Sequence, residues 1–165
     1  MTYKQRYQEA HKEWFAIRYH AAYRDGHYAP PVMPKIKTAN GLTKFICNYL
    51  LWTKHHGERT NNMGRPIQKY VPKFNIFTNK VDMLEGGIEW QKGSGLQGSS
   101  DIKGHINNPN HKFPIPIYLE VKVNRDRQSD EQKAYEQKVT KTGALYCIVK
   151  TPEDFFSFYD YVLSL

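Results

Sequence analysis

Asp101, Glu120, Lys122 and Gln132 are the residues whose types and spacing can do chemistry together. DIKGHI and IYLEVKV alternate apolar and polar residues, the signature of strands with one apolar face. The turn cluster Asn107-Asn108-Pro109-Asn110 lies between them, so the strands are neighbours. This pairing puts Asp101 and Glu120 together on the polar face at one sheet end. Two carboxylates there repel unless a cation or a proton lies between them. Mg²⁺ suits such a pair, because it takes one or two carboxylates and keeps waters or phosphate oxygens for its remaining positions. The Val121 carbonyl offers a further oxygen. Lys122, two residues after Glu120, reaches the same spot, where a positive charge can orient an attacking water and offset charge on a phosphate. Gln132 can hold the nucleophile in line. The plainer alternative is a half-buried strand with a wet Glu and Lys on its outer face.

The flanking segments must hold these residues in place. Ser129-Asp130-Glu131-Gln132 has Ser at the N-cap, acids in the first turn and Gln at N3, a capping box opening a helix through Tyr135 and Val139 to Gly143. Gln132 therefore has a structural reason to be present whatever its chemistry. ALYCIVK reads as a buried strand, and Thr151-Pro152-Glu153-Asp154 caps a last helix rich in Phe and Tyr. Upstream, Tyr3, Tyr7, Ala10, Trp14, Ile17 and Ala21 have the spacing of one amphipathic helix over 3–25, stopped by Gly26. That stripe docks onto the rest of the domain or a second subunit, or else stacks on bases. A Pro-rich connector follows, and a second helix is expected from about Asn40 to His55, ended by Gly57. GERTNNMGRPIQKYVPKFNIF reads as short strands joined at Asn61-Asn62-Met63-Gly64. Its Arg59, Arg65, Lys69 and Lys73 make it either an arm against a phosphate backbone or a solvated hairpin. GSGLQGSS resembles a phosphate-binding loop, but lacks the lysine and the following helix that such a loop needs. The order of elements gives an α/β fold, a mixed sheet flanked by helices.

Composition bounds the rest. The 165 residues are 39% hydrophobic and 24% charged, which suits a single globular domain with a real core. No apolar run is long enough for a membrane span, and the N-terminus is charged where a signal peptide is apolar. Cys47 and Cys147 read as core thiols of a reducing compartment. His55 and His56 are neighbours at a helix end and do not easily face one metal together, and His105 and His111 lack Cys or His partners at zinc spacing. The net charge of +8 is uneven: residues 1–97 hold fifteen Lys and Arg against seven Asp and Glu, and residues 98–165 hold nine of each. A basic surface beside a patch of carboxylates suits a protein that grips a polyanion and handles a metal.

G-S-S-D-I, the eighteen residues between Asp101 and Glu120, E-V-K and D-R-Q-S-D-E-Q resemble the PD-(D/E)XK nuclease superfamily, most closely its VRR-NUC branch. Arg59-Thr60-Asn61-Asn62-Met63-Gly64 is similar to the R-x-x-x-S-G stretch of archaeal-type Holliday junction resolvases. The resemblance covers roughly residues 40–150. It implies a restriction-endonuclease-like mixed β-sheet core flanked by helices over 39–165, with an N-terminal helical extension and connector over 1–38. It implies metal ligation by Asp101, Glu120 and the Val121 carbonyl, Lys122 as catalytic lysine, and Gln132 as the helix glutamine. Arg59, Arg65, Lys69, Lys73, Arg125 and Arg127 would meet DNA, although Asp126, Arg127 and Gln128 read equally well as a helix-entry loop. Two departures stand out. Ser100 replaces the proline of the motif, and the helix TANGLTKFICNYL has no Glu, Asn40 standing near its place.

The activity so implied is Mg²⁺-dependent DNA endonuclease, with Mn²⁺ able to substitute, acting as a cytoplasmic homodimer of a bacterial or phage-infected cell. Its substrate would be double-stranded, branched or four-way-junction DNA. The alternatives are a restriction or repair nuclease on ordinary duplex, and a DNA-binding module that keeps the fold without the activity.

Overall fold

The computed structural model describes residues 1–60, 65–91, 96 and 98–165, the side chain of Arg65 excepted. The chain divides into two compact units, Met1–Thr60 with Gly98–Leu165, and Asn61–Gln97. The first unit is mixed α/β: a mixed sheet with flanking helices. Its strands are β1 (His56–Arg59), β4 (Ile102–Ile106), β5 (Ile115–Val121) and β6 (Leu145–Val149), in the spatial order β1-β4-β5-β6. β1 and β4 are antiparallel, as are β4 and β5, whereas β5 and β6 run parallel. α4 (Asp130–Thr140) makes the crossover between the two parallel strands.

The core lies between the sheet and α3 (Ala39–Trp52), α1 (Tyr3–Arg18) and α5 (Pro152–Ser164). Leu42, Phe45, Ile46 and Leu50 of α3 are fully buried, as are Ile102, Ile106, Ile117 and Leu119 of the sheet and Phe155 of α5. The aromatic stripe of α1 docks within this unit: Tyr7 stacks on Phe45 with ring centroids 4.4 Å apart and meets Trp52 edge-on at 4.7 Å. The boundary expected at residue 38 therefore does not separate compact units. At Gly104 the backbone of β1 comes so close that an added Cβ would lie 2.0 Å from the His56 carbonyl oxygen. Only glycine permits that strand pairing.

Three sequence expectations give way. The single helix over 3–25 is α1 followed by α2 (His20–Arg24), interrupted at Tyr19, whose φ and ψ are −126° and 51°. The Tyr19 ring packs back on Trp14 and Phe15, and Ile17, counted in the stripe, is 65% exposed. α3 ends at Trp52 rather than His55. Lys54 takes the left-handed conformation at φ 61°, and the His55 N–H donates to the Leu50 carbonyl, closing a Schellman turn without glycine. Gly57 lies inside β1.

The third correction concerns pairing. β1 joins the main sheet, while β2 (Arg65–Asn75) forms a two-stranded ribbon with β3 (Lys80–Gln91), a strand that local sequence signals do not mark. The turn expected at 61–64 lies outside the described residues. The ribbon reverses at 76–79, where Asn79 has φ 53° and Asn75 Oδ1 accepts from the N–H groups of Phe77 and Thr78. Asparagine does there what glycine usually does, so the usual dipeptide signal is missing.

Candidate active site

One end of the four-stranded sheet gathers the residues singled out above. β5 and β6 both end there, and the Lys122 N–H donates to the Val149 carbonyl as the chain leaves β5. In open α/β sheets the carboxyl ends of parallel strands are where ligand crevices form. Asp101 precedes β4 at the same end and anchors itself to β5, its Oδ2 accepting the Val121 N–H at 2.9 Å. The Asp101 carbonyl accepts from Thr60 N–H at 2.8 Å, tying the end of β1 to the same place. The opening of α4 is held close by Gly98, whose φ is 75°, since a Cβ there would lie 2.5 Å from the Glu131 carbonyl group.

Glu120 and Lys122 are inside the protein, 1% and 6% exposed, so the wet-face reading of β5 is wrong. Lys122 Nζ lies 3.1 Å from Glu120 Oε1 and 3.3 Å from Asp126 Oδ2, and donates to Gln132 Oε1 at 2.9 Å. Three acceptors thus use the three protons of the ammonium group. Gln132 Nε2 donates to Glu120 Oε1. Gln132 Oε1 also accepts the Ser129 N–H at 3.0 Å, while Ser129 Oγ accepts the Gln132 N–H. The glutamine is therefore both capping-box residue and site residue. Helix geometry fixes the side chain, and the side chain fixes Glu120 and Lys122.

The electrostatics follow from burial. Desolvation, and then the charge of Asp101, push the Glu120 carboxyl up to about 7, against the pull of Lys122. Burial works to lower Lys122, but Glu120 and Asp126 outweigh it and raise the ammonium above its ordinary value. Lys122 is accordingly a fixed cation near neutral pH.

A divalent metal fits this set on one observation. Glu120 Oε2 is buried and has no hydrogen-bond partner, while Oε1 carries both Lys122 and Gln132. An unpaired buried carboxylate oxygen is costly unless a cation completes it. Asp101 bonds the next peptide along β5 and its charge is felt by Glu120. Among the described residues no three His, Cys, Asp or Glu side chains converge as a metal cage. Two carboxylates and a carbonyl match the sparse protein ligation of Mg²⁺ rather than the full set of a structural zinc site.

The basic residues expected to meet DNA are divided. Arg125 and Arg127 are exposed on the loop between Lys122 and α4. Arg59, at the end of β1, donates to Asn40 Oδ1 at 2.6 Å. Lys69 and Lys73 belong to the ribbon of the second unit, where Lys69 pairs with Glu89. Arg65 begins β2, and its side chain lies outside the described residues. The histidines find other partners: His56 and His105 stack across β1 and β4 with centroids 5.3 Å apart, and His55 meets the Tyr159 hydroxyl.

Sequence reasoning missed Tyr146. Gln128 Nε2 donates to Glu136 Oε2 at 2.8 Å and to the Tyr146 hydroxyl at 3.3 Å. Burial holds that phenol protonated, well above its ordinary range. Alternation along ALYCIVK puts Tyr146 and Ile148 on one face, but only the parallel register, with Glu120 opposite Ile148, shows that this is the face of Glu120. No family model, curated protein or solved structure gives a match to the chain.

Proposed function

We propose that the chain is a metal-dependent DNA endonuclease with a restriction-endonuclease-like core, acting on branched or four-way-junction DNA in the cytoplasm. The observation that carries this reading is a buried Glu120–Lys122 pair joined by Gln132, beside Asp101, with one Glu120 oxygen left unpartnered. Burying ionisable groups this way costs stability, and active sites are where such groups concentrate. The resemblance in order and spacing to the PD-(D/E)XK nucleases supplies the substrate class.

In this reading Asp101, Glu120 Oε2 and the Val121 carbonyl hold the ion, Mg²⁺ or Mn²⁺, which supplies polarisation of the phosphate and of water when bound. Lys122 contributes a positive charge whose direction Glu120, Asp126 and Gln132 set. Its charge stabilises negative charge on the phosphate. Gln132 keeps that lysine and Glu120 in register. Arg125 and Arg127, on the adjoining loop, meet the phosphate backbone.

A second reading is a DNA-binding module without activity, favoured by Asn40, which bonds Arg59 where an acidic metal ligand would be expected. Labelled duplex, flap and four-way-junction DNA incubated with Mg²⁺, Mn²⁺ or EDTA separates the two. Metal-dependent cutting is expected, with Lys122→Ala reducing it on the order of 10³-fold and Asp101→Asn abolishing it while DNA binding persists. No cutting of any substrate with either metal, or undiminished cutting by Lys122→Ala, overturns the proposal.

A further inference from the structure

The ribbon of β2 and β3 has two unlike faces. The register pairs Phe74 with Val81, Pro72 with Met83, Tyr70 with Glu85, Gln68 with Ile88 and Pro66 with Trp90, so these residues share one face. The shift between Gln68 and Tyr70 is a bulge at Gly86-Gly87 that keeps the apolar residues aligned despite an extra residue in β3. Tyr70, Phe74, Val81, Met83, Ile88 and Trp90 on that face are 55% to 73% exposed. Its charged residue is Glu85, and the Gln68 side chain is satisfied by the Gly86 carbonyl at 2.6 Å. The opposite face carries Lys69, Lys73, Lys80, Asp82 and Glu89. There Lys69 pairs with Glu89 at 2.6 Å, and Asn75 bonds Asp82 at 2.9 Å.

A two-stranded ribbon does not hold itself together in water and needs a second layer on its apolar face. We infer that this layer is a second copy of the chain, the two ribbons packing apolar face to apolar face about a twofold axis. Nucleic acid does not suit the face, because phosphates need cations, and Lys69, Lys73 and Lys80 stand on the other side. A twofold contact needs one self-complementary patch, and a nearly uncharged apolar face is that. The area is adequate: six half-exposed large side chains offer on the order of 100 Å² each, about 600 Å² together, the lower end of the ~600–1,000 Å² per partner of a standard interface. Pairing through the lysine-bearing face would instead set like charges together. The inference stands on the ribbon alone and is independent of the nuclease reading.

Sedimentation of the full-length chain at micromolar concentration tests it. A species of twice 19.4 kDa is expected. Ile88→Glu and Phe74→Glu should weaken association by about 100-fold or more, whereas Val71→Glu and Leu84→Glu, on the opposite face, should leave it intact. Hydroxyl-radical footprinting of the unmutated protein keeps the test clear of misfolded variants: Tyr70 and Trp90 become protected as concentration rises, and Val71 and Leu84 do not. A wild-type chain that stays monomeric overturns the inference. So does a dimer indifferent to Ile88→Glu and Phe74→Glu, or association that appears only when DNA is added. A monomer with Tyr70 and Trp90 already protected also overturns it, since the chain's own first unit would then cover the face.

Discussion

Two Lys–Glu pairs show how differently the two units of this chain use charge. In the ribbon, Lys69 and Glu89 approach to 2.6 Å with both side chains more than half exposed. At the sheet end, Lys122 and Glu120 lie 3.1 Å apart and are almost wholly buried. The shorter contact is the weaker one, because water screens it and two long side chains lose freedom to make it. The buried pair is held by Gln132 and Asp126 as well, and removing either partner strands a charge in a desolvated place. Apolar residues show the reverse arrangement. Ile117 and Leu119 of β5 are fully covered, whereas Ile88 and Trp90 of β3 stand in water. Distance and residue type do not decide what a contact contributes; the layers around it do.

The largest expected effect comes from breaking the buried pair. Lys122→Met should lower unfolding free energy by about 3 kcal/mol near pH 8, since Glu120 is left as an uncompensated carboxylate. The deficit shrinks as pH falls and Glu120 takes up a proton. Lys69→Met should stay within about 0.5 kcal/mol of wild type at both ends of that range. Urea titrations of the two variants at two pH values make the comparison, and equal losses would dissolve it. Next in size is the matching apolar pair. Leu119→Ala should cost about 3 kcal/mol through lost burial and a residual cavity, while Met83→Ala should leave unfolding of the four-stranded unit within about 0.5 kcal/mol.

The sequence was most readable where local rules and packing agree. Ser129 through Gln132 announces α4 by its caps, and Thr151 through Asp154 announces α5, because capping needs only neighbours in the chain. Asp101, Glu120, Lys122 and Gln132 could be named together because turn and helix-start signals bracket them. Three things were not legible. Burial of Glu120 depends on α4 covering one face of β5, which alternation along β5 does not encode. Tyr146 joins the site's surroundings through a parallel register set by tertiary packing. β3 has no clear strand signature because the bulge at Gly86-Gly87 interrupts its alternation, and the reversal before it uses Asn79 in place of glycine.

Smaller effects separate the two jobs of Gln132. Ser129→Ala removes the helix cap alone and should cost about 1 kcal/mol with catalysis near wild type. Gln132→Ala removes a comparable amount of stability and also frees Glu120 and Lys122, so cleavage should fall about 10-fold to 100-fold. Thermal melts beside single-turnover cleavage read both quantities. If Ser129→Ala lost as much cleavage as Gln132→Ala, the glutamine would be a cap and nothing more.

The smallest expected effect lies at the opposite end of the sheet unit's polar contacts. His55 Nδ1 accepts the Asn107 N–H at 3.2 Å, and its Nε2 lies 2.8 Å from the Tyr159 hydroxyl. An accepting Nδ1 fixes the neutral ring, with the proton on Nε2 directed at Tyr159. Burial, and then His105, lower the tendency of His55 to take a second proton. The unfolded chain therefore binds that proton at a higher pH than the folded one does. Stability from this group is complete above the ordinary histidine range and declines as pH falls through it. His55→Gln, which can donate and accept at similar reach, should flatten the stability difference between about pH 7.5 and about pH 5.5. An undiminished pH slope in His55→Gln would place the titrating group elsewhere.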